Sequence, residues 1–556
     1  MKRQVEQLES REFDLVVVGG GIFGACAAWD AALRGLSVAL LEAYDFGGGV
    51  SANSFRMVHG GIRYIQHLDF PRVRSSCHER TALLRTAPHL VAPLPIAIPT
   101  YGHLMEGKEF LACGMYLYDL VTADRNRKIA DPERQIPWTK LLGAADIRDM
   151  FPGLPDERLT GGTLFCDAQM YNPTRLVWAF VASAIGQGAV AVNHVRADEF
   201  IIEDGKVAGV TATDGLTGDK YRIRSRMVLN TAGPWSGWVL KNSKLGLPGR
   251  VPYSRDACFI VPRRFAHSAA LAIQGRTKDP DARFSRKARH MFVVPWREYS
   301  LIGVWHVVTE VHPEEIDVTE EELDNFIDEM NEIYPALELR QDEVKAWNAG
   351  LVPFGENKPG AQDLKYGHRS HLIDHARTDG LEGLITLIGI RYTMGRGDAE
   401  RAVSLACRHL GHSAEVPDTL GTPVYGGDIP HFTEFLEAER ARYRDRLPTE
   451  VIDALARNHG TRLKAVLETG EKAGLEWEPV PGTRTLPAEI VYVAREEMAC
   501  KLSDVVFTRT DMAAAEDPGS EAVATAADLV AAELGWSQER RAAELDDVRR
   551  KLAHRR

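Results

Sequence analysis

The chain has 556 residues, of which 44% are hydrophobic and 26% are charged. This length and ordinary composition allow two or three globular domains with large cores. The formal net charge of −11 leaves no basic excess, so we expect no nonspecific binding to nucleic acid. The seven cysteines are scattered and form no C-x-x-C pair, which favours reduced thiols in a cytoplasm over a disulfide framework or a metal site.

Two further features concern secretion and membranes. The opening residues, MKRQVEQLESREFD, lack the apolar core of a signal peptide. No segment approaches the roughly 18 apolar residues that a spanning helix needs. We therefore expect a cytoplasmic protein. Peripheral association with the inner face of a membrane and a homodimer both stay open.

Residues 13–42 predict a strand, a glycine-rich turn, a helix and a second strand in succession. The apolar run at 13–18 is typical of a buried strand, and the alanine-rich helix that follows stops near Gly35. A second apolar strand ends at Glu42. This order of elements is that of a dinucleotide-binding βαβ unit.

Three glycines in the turn fill the G-x-G-x-x-G frame. Gly19 permits the tight turn, Gly21 lets backbone N–H groups approach a pyrophosphate, and Gly24 lets the helix pack closely on the strand. The helix N-terminus then directs the positive end of its dipole at the phosphates. The Glu42 carboxylate can accept hydrogen bonds from an adenosine ribose and would repel a 2′-phosphate.

The middle of the chain alternates between strand-like and helix-like segments. Residues 189–230 predict strands separated by hairpin-type turns, and residues 227–235 form an apolar strand that ends in small residues. A similar passage occurs late, where a predicted strand at 384–388 runs into Gly389 and a helix covers 397–409. The two distant passages predict one nucleotide domain assembled from separated segments.

The character of the sequence changes after these elements. Residues 412–428 contain proline and glycine without periodicity, which is typical of a linker. Residues 429–556 are mostly helical in period and rich in charge, and Ser537 is the expected N-cap of the last helix. We interpret the basic residues from Arg549 to Arg556 as a solvated helix tail.

Several passages match one known family in order along the chain. They are residues 14–43, SANSFRMVHGGIRYIQHLDF at 51–70, NTAGPW at 230–235, VPWREYSLIG at 294–303, GIRYTMGR at 389–396 and REEMACKLSDVVFTRT at 495–510. With these passages the chain resembles the FAD-dependent glycerol-3-phosphate dehydrogenase family, within the D-amino-acid-oxidase-like flavoproteins. The H-G-G-x-R-Y motif is much more specific than the nucleotide glycines alone.

The resemblance implies an α/β fold with a discontinuous Rossmann-type FAD-binding domain, a mixed-sheet α+β substrate domain and a C-terminal helical domain. The expected boundaries are 1–75, 155–245 and 365–412 for the FAD-binding domain, 76–154 and 246–364 for the substrate or cap domain, 413–428 for the linker and 429–556 for the helical domain. FAD is the implied cofactor.

One βαβ unit holds only the ADP half of FAD, so the flavin needs further loops of small residues. The expected cofactor contacts are Gly19, Gly21, Gly24, Glu42, Ser51, Asn53, Ser54, His59, Gly60, Gly61, Val195, Ala232, Gly233, Trp235, Gly389, Arg391, Tyr392 and Thr393. Among them, Val195 is implied to present its backbone to adenine. A tight turn without a ligand is the alternative for each pair of small residues taken alone.

The resemblance also implies catalytic residues. It assigns Arg63 and Arg369 to the substrate, and Arg391 can restore a charge there, because a hydroxy phosphate needs cations for its anionic group. A surface ion pair is the alternative for Arg369.

The chain departs from the family pattern in the substrate pocket. Val352 stands where the family has an arginine in a G-V-R-P loop, and Cys258 stands where it has a histidine. Arg391 replaces a lysine, and residues 304–306 replace Thr-Thr-Asp. Losing the first arginine removes a charge-assisted contact of roughly 1.5–3 kcal/mol.

Three of the substituted residues carry specific expectations. His306 is either the base that accepts the hydroxyl proton or a core histidine bonded to a neighbouring strand. Trp305 is expected to narrow the pocket or to stack on a substrate ring. Cys258 is expected to be a small buried hydrophobe rather than a nucleophile.

These observations lead to three hypotheses of function. The first is an FAD-dependent oxidoreductase that oxidises a secondary alcohol, glycerol 3-phosphate or a related polyol or phosphate, by hydride transfer to flavin N5. The alternatives are an amine or amino-acid oxidase on the same scaffold and a non-catalytic flavoprotein. The expected partners are a small-molecule substrate and oxygen or a quinone as electron acceptor.

Overall fold

The computed structural model describes residues 1–103, 107–247, 251–265, 268–278, 288–355, 367, 369–413 and 415–555. In chain order its strands are β1 (Phe13–Val18), β2 (Val38–Leu41), β3 (Met57–Val58), β4 (Val91–Tyr101), β5 (Lys140–Leu142), β6 (Leu159–Met170), β7 (Val190–Val192), β8 (Val195–Glu203), β9 (Lys206–Asp214), β10 (Lys220–Asn230), β11 (Tyr253–Val261), β12 (Ala270–Lys278), β13 (Ala288–Trp296), β14 (Tyr299–Thr309), β15 (Ala346–Pro353), β16 (His371–Asp374) and β17 (Leu384–Ile388).

The helices lie between these strands or follow the last of them in the chain. They are α1 (Ile22–Leu33), α2 (Phe70–Thr86), α3 (Lys108–Val121), α4 (Ala144–Met150), α5 (Pro173–Gly186), α6 (Ser236–Asn242), α7 (Glu320–Ile333), α8 (His375–Thr378), α9 (Gly395–Leu410), α10 (Phe432–Tyr443), α11 (Thr449–His459), α12 (Leu463–Lys472), α13 (Pro487–Glu496), α14 (Ser520–Leu534) and α15 (Gln538–His554).

The smaller of two sheets has the strand order β16–β17–β10–β1–β2–β7, and β9 and β8 extend from β10 as an antiparallel ribbon. β1 pairs in parallel with β2 and β10, β10 with β17, and β2 with β7. The unbroken apolar sequences of β1 and β2 fit this position, because parallel strands are covered on both faces. Helices α1, α5 and α9 cover one face, where Trp29 and Trp178 are buried.

The larger sheet has the order β15–β11–β14–β13–β12–β4–β6–β3, with β5 beside β6. β12 and β4 pair in parallel, whereas β11, β13 and β14 pair with their neighbours in antiparallel fashion. One face packs against α7 through Phe259, Ile302 and Phe326. The other face carries Ile260 and Leu301 and belongs to a core that reaches Phe292.

The helices from α10 to α15 share a hydrophobic core of their own, which includes Leu455, Val506 and Val548. Ser537 caps the last helix, because its hydroxyl accepts a hydrogen bond from Arg540 N. The predicted N-cap and the predicted helical C-terminal region are therefore confirmed. The observed architecture is therefore an α/β fold with two sheets and a helical C-terminal region.

The predicted strands of residues 189–230 form as β7 to β10, and the predicted helix at 397–409 forms as α9. β3 and β6, which the sequence analysis assigned to the FAD-binding domain, lie in the larger sheet. β6 lies there because it pairs with β4 from Val91 to Tyr101. The division into domains remains a prediction, although β3 and β6 lie in the larger sheet and not in the sheet of the FAD-binding segments.

Two observations follow on compartment and membrane. All seven cysteines fall within the described ranges, and each is a free thiol. Among the helices described above, none combines the length and the apolar composition that crossing a bilayer requires.

Candidate functional site

A cavity of about 670 Å³ lies between the two sheets. Its wall starts at the carboxyl ends of β1, β2, β10 and β17, which is where ligands bind in open parallel sheets. Of the residues expected from the sequence, it contains Gly19, Gly21, Glu42, Ser51, Asn53, Ser54, His59, Gly61, Ala232, Gly233, Trp235, His306, Gly389, Arg391, Tyr392 and Thr393. The fold therefore brings most of the predicted site into one continuous space.

The glycine-rich turn after β1 has the geometry that its frame predicts. Gly19 has φ +99°, and a Cβ there would lie 2.8 Å from the Ala232 Cα. A Cβ on Gly24 would lie 1.8 Å from the Gly19 carbonyl oxygen, so Gly24 lets α1 pack on the turn and does not line the cavity. Gly21 lines the cavity beside the Ser51 hydroxyl, which accepts a hydrogen bond from Ile22 N at 3.1 Å.

Glu42 is fixed at the carboxyl end of β2 by two backbone donors. Its Oε2 accepts a hydrogen bond from Gly20 N at 2.6 Å, and its Oε1 accepts one from Tyr44 N at 2.9 Å. Burial raises the pKa of Glu42 against these two hydrogen bonds. The carboxylate is thus held beside the glycine turn, where it can accept hydrogen bonds from ribose hydroxyls.

Gly389 lets the Phe23 ring pack on the opposite wall of the cavity. A Cβ on Gly389 would lie 1.8 Å from the Phe23 ring at the start of α1. The Thr393 hydroxyl accepts a hydrogen bond from His59 N at 3.1 Å, which joins the segment after β17 to the H-G-G motif. These loops, the N-terminus of α1 and Glu42 together fit an elongated dinucleotide such as FAD.

A buried ion pair lies behind the H-G-G motif. Gly60 N donates a hydrogen bond to Asp167 Oδ1 at 2.7 Å, and Arg80 Nη1 donates to the same oxygen. Burial opposes ionisation of Asp167, but His59 and Arg80 hold its pKa below the ordinary value. Gly60 does not line the cavity, and a Cβ there would lie 2.2 Å from the Tyr118 hydroxyl. Sequence reasoning missed Arg80 and Asp167, because their pairing spans β6 and α2.

The predicted arginines separate into three cases. Arg391 lines the cavity, donates a hydrogen bond to Ser76 Oγ at 2.7 Å, and stacks 4.9 Å from the Tyr64 ring centre. Arg369 has an exposed side chain and does not line the cavity. The side chain of Arg63 lies outside the described part of the chain.

His306 and Asp256 form a pair in the cavity wall. His306 Nδ1 lies 2.7 Å from Asp256 Oδ1 across β14 and β11, and the ring also packs 5.7 Å from that of Phe354. Asp256 was missed, because a single aspartate in a strand gives no sequence signal. A carboxylate bound to one ring nitrogen is the arrangement that prepares an imidazole for general base catalysis.

A β-bulge aims His306 at the cavity. Ala257 pairs with Trp305 but Cys258 pairs with Gly303, so Val304 is an extra residue on β14. The extra residue reverses the alternation of faces beyond it. The expectation that Trp305 lines the pocket is therefore wrong: its indole donates to Glu322 Oε1 at 2.6 Å and packs against Phe326 on the far face.

Other substituted positions line the same end of the cavity. Val352 on β15 presents an apolar side chain to it, and so does Phe292 on β13, which is not one of the substituted positions. Cys258 is buried there, and burial raises the pKa of its thiol to about 11. A protonated buried thiol agrees with the expected role as a small hydrophobe.

Val195 differs in placement from the other expected cofactor contacts. It is fully buried, its N–H donates to the Glu42 carbonyl oxygen, and it does not line the cavity. Its neighbours Arg196 and Ala197 do line it. The backbone N–H of Val195 is thus already used within the sheet.

Among the residues that the structure describes, one group of side chains is close enough to hold a cation. Ligand atoms of Asp45, His194 and Asp504 lie within 4.8 Å of one another. The positive charge there comes from Arg509, whose Nη1 and Nη2 lie 2.6 and 2.7 Å from the two Asp45 oxygens. The group is a buried ion-pair network between β2 and the C-terminal helices.

Comparisons with known proteins agree with this geometry. A family model described as "FAD dependent oxidoreductase" matches residues 14–390. A second, described as "C-terminal domain of alpha-glycerophosphate oxidase", matches residues 418–541.

Related proteins match over nearly the whole chain. A glycerol-3-phosphate dehydrogenase from Synechocystis sp. is 30% identical, covering 97% of this chain and 96% of the relative. The mitochondrial glycerol-3-phosphate dehydrogenase of Mus musculus is 30% identical, covering 97% and 73%. The crystal structure of the glycerol-3-phosphate dehydrogenase from Bacillus halodurans, complexed with FAD, superposes with a TM-score of 0.77 at 23% identity, covering 99% and 96%. That likeness establishes the fold.

Proposed function

The chain belongs to the FAD-dependent oxidoreductase family, and we propose that it oxidises a secondary alcohol such as glycerol 3-phosphate or a related polyol phosphate. One observation carries the proposal. A single cavity runs from the dinucleotide turn at Gly19 to the His306–Asp256 pair. The proposed cofactor site and the proposed proton acceptor would therefore share one cavity, which supports an alcohol oxidation.

The chain's own residues fit FAD along this cavity. The N-terminus of α1 and Ser51 would hold the pyrophosphate, and Glu42 would hold the adenosine ribose. The segments around Gly61, Ala232 and Gly389 would leave room for the flavin ring. When bound, FAD would supply an acceptor for one hydride, which carries the two electrons of the oxidation.

His306 is the proposed acceptor of the hydroxyl proton. Asp256 binds Nδ1 of His306, which holds the ring in the cavity wall, and the imidazole would take the proton. The Asp256 carboxylate also balances the positive charge that the ring gains. Arg391 is the proposed partner of the substrate's anionic group, because it lines the same cavity.

Anaerobic mixing of the FAD-loaded protein with glycerol 3-phosphate tests this function. Flavin absorption is expected to bleach within seconds of mixing and to return when air or a quinone is added. A flavin that dithionite bleaches but no polyol phosphate reduces would overturn the proposal. Bleaching by amines alone, followed by release of hydrogen peroxide once air is added, would instead favour the amine-oxidase alternative.

The proposal also covers the electron acceptor and the cellular location. We infer oxygen or a quinone as the acceptor of the second half-reaction, from the resemblance to enzymes that use either. A cytoplasmic location fits the seven free thiols. Oxygen consumption and quinone reduction, measured side by side with the same preparation, distinguish the two acceptors.

A further inference from the structure

The end of the cavity beyond Glu42 is bounded by residues of the smaller sheet and of α6. Tyr44 follows β2, Arg196 lies on β8, and Trp238 and Asn242 lie on α6. Tyr44 and Trp238 remain 53% and 41% exposed, although both are large aromatic residues.

Their partners come from a different part of the fold. A short 3₁₀ turn, Pro313–Glu315, lies between β14 of the larger sheet and α7. The Tyr44 hydroxyl donates a hydrogen bond to Glu314 Oε1 at 2.5 Å. The His312 ring lies edge-on to the Trp238 indole, with 4.6 Å between ring centres.

The turn that supplies these partners has its own internal support. Glu314 N donates a hydrogen bond to His312 Nδ1 at 3.2 Å, and Pro313 is buried. Glu314 itself lines the cavity, so the turn reaches over the opening rather than past it. The turn can therefore act as one preformed piece that meets Tyr44 and Trp238 together.

We propose that the contacts Tyr44–Glu314 and His312–Trp238 form a clasp that closes the adenosine end of the cavity and slows the release of FAD. The inference rests on the proposed cofactor site. The clasp joins the two sheets across the cleft. FAD therefore enters or leaves at this end only when the clasp is open. Burial and the nearby Glu314 raise the pKa of Tyr44 to about 12, so the phenol keeps its proton and the hydrogen bond persists at neutral pH.

The strength of the clasp sets the expected effect. A net hydrogen bond contributes about 0.5–1.5 kcal/mol, which corresponds to roughly a two- to tenfold change in an equilibrium or rate. Removing the Tyr44–Glu314 bond is therefore expected to speed FAD release by about that factor. Replacing both Tyr44 and Glu314 is expected to speed FAD release little beyond either single replacement, since the two residues share one hydrogen bond.

The test measures FAD release from the full-length holoprotein by the rise of flavin fluorescence after dilution. Tyr44→Phe keeps the ring beside the cavity and removes only the hydroxyl, and Glu314→Ala removes the bond from the other side. Glu315→Ala, in the same turn and exposed, is the matched control. The proposal expects both single variants and their double variant to release FAD at similar, faster rates, and the control to match the wild type.

Unchanged release in Tyr44→Phe and Glu314→Ala would overturn the clasp, as would equal acceleration by Glu315→Ala. Additive effects in the double variant would also overturn it, because they would mean that the two residues act independently. Reduction of the bound flavin by glycerol 3-phosphate is followed in the same samples. Faster release without any substrate reduction would uphold the clasp and refute the proposed substrate.

Discussion

Arg509 and Asp45 form a two-point ion pair that joins the C-terminal helices to the segment after β2. Nη1 lies 2.6 Å from Oδ2 and Nη2 lies 2.7 Å from Oδ1, and both side chains are buried. Asp45 follows Tyr44 directly and lies three residues after Glu42. The helical region therefore supports the adenosine end of the cavity from behind.

Replacing Arg509 with methionine is expected to destabilise the protein by about 3–5 kcal/mol, since it leaves a buried carboxylate without its cation. Thermal unfolding of the FAD-loaded protein measures the loss. Arg495→Met is the control, because Arg495 pairs with Glu533 near the surface, where an ion pair contributes only about 0–1 kcal/mol. Equal shifts in the two variants would contradict the role given to the buried pair.

Asp167 gives the protein a predictable loss of stability in acid. Burial opposes its ionisation, but His59 and Arg80 hold its pKa below 3.8, so it stabilises the fold above that pH. This contribution disappears as the pH falls through the lowered pKa. Asp167→Asn is expected to lower the thermal midpoint strongly at pH 7 and progressively less as the pH falls below 3.8. A difference that does not depend on pH would show that the charge is not what stabilises the H-G-G loop.

The His306–Asp256 pair predicts a loss of chemistry without a loss of cofactor. His306→Gln is expected to slow flavin reduction by about 10²–10⁴-fold, the range for removal of a general base, and Asp256→Asn to slow it less. Stopped-flow absorbance gives the rates. Trp305→Phe, the neighbour on the opposite face of β14, is expected to reduce flavin at nearly the wild-type rate. The pair would lose its assignment if Trp305→Phe were as slow as His306→Gln.

Arg391 and Arg369 separate an arginine in the cavity from one at the surface. Arg391→Ala is expected to raise the KM for an anionic substrate about tenfold to a hundredfold, which corresponds to the roughly 1.5–3 kcal/mol of a charge-assisted hydrogen bond. Arg369→Ala is expected to leave both KM and kcat unchanged, since its side chain is exposed away from the cavity. Steady-state kinetics with glycerol 3-phosphate and with uncharged glycerol compare the two. A larger effect from Arg369 would reverse the assignment.

Two helical glycines test the packing of the nucleotide turn. Gly24→Ala places a Cβ 1.8 Å from the Gly19 carbonyl oxygen, so α1 must move and FAD binding is expected to fail or to weaken greatly. Gly114→Ala, on α3, meets no atom within 4 Å and is expected to stabilise the helix by up to about 1 kcal/mol. Flavin content after purification and the thermal midpoint report both effects. Full flavin content in Gly24→Ala would refute the tight packing.

The sequence predicted the local elements and missed the features that depend on contacts with distant strands. The βαβ unit at 13–42 could be identified because its turn, helix and strands are adjacent in the chain. The faces of Trp305 and His306 could not, since the bulge at Val304 reverses the strand's ordinary alternation. Asp256 and Asp167 were missed because each acquires its role only from a partner on another element.

The smaller sheet has a consequence for how the chain reaches its native state. β10 lies between β1 and β17, so the centre of the sheet forms only when residues from 13 to 388 are all present. The larger sheet in turn takes β3 and β6 from between these strands. Neither sheet can therefore be excised as an autonomous fragment, and such long-range pairing favours slow, highly cooperative folding of both sheets together.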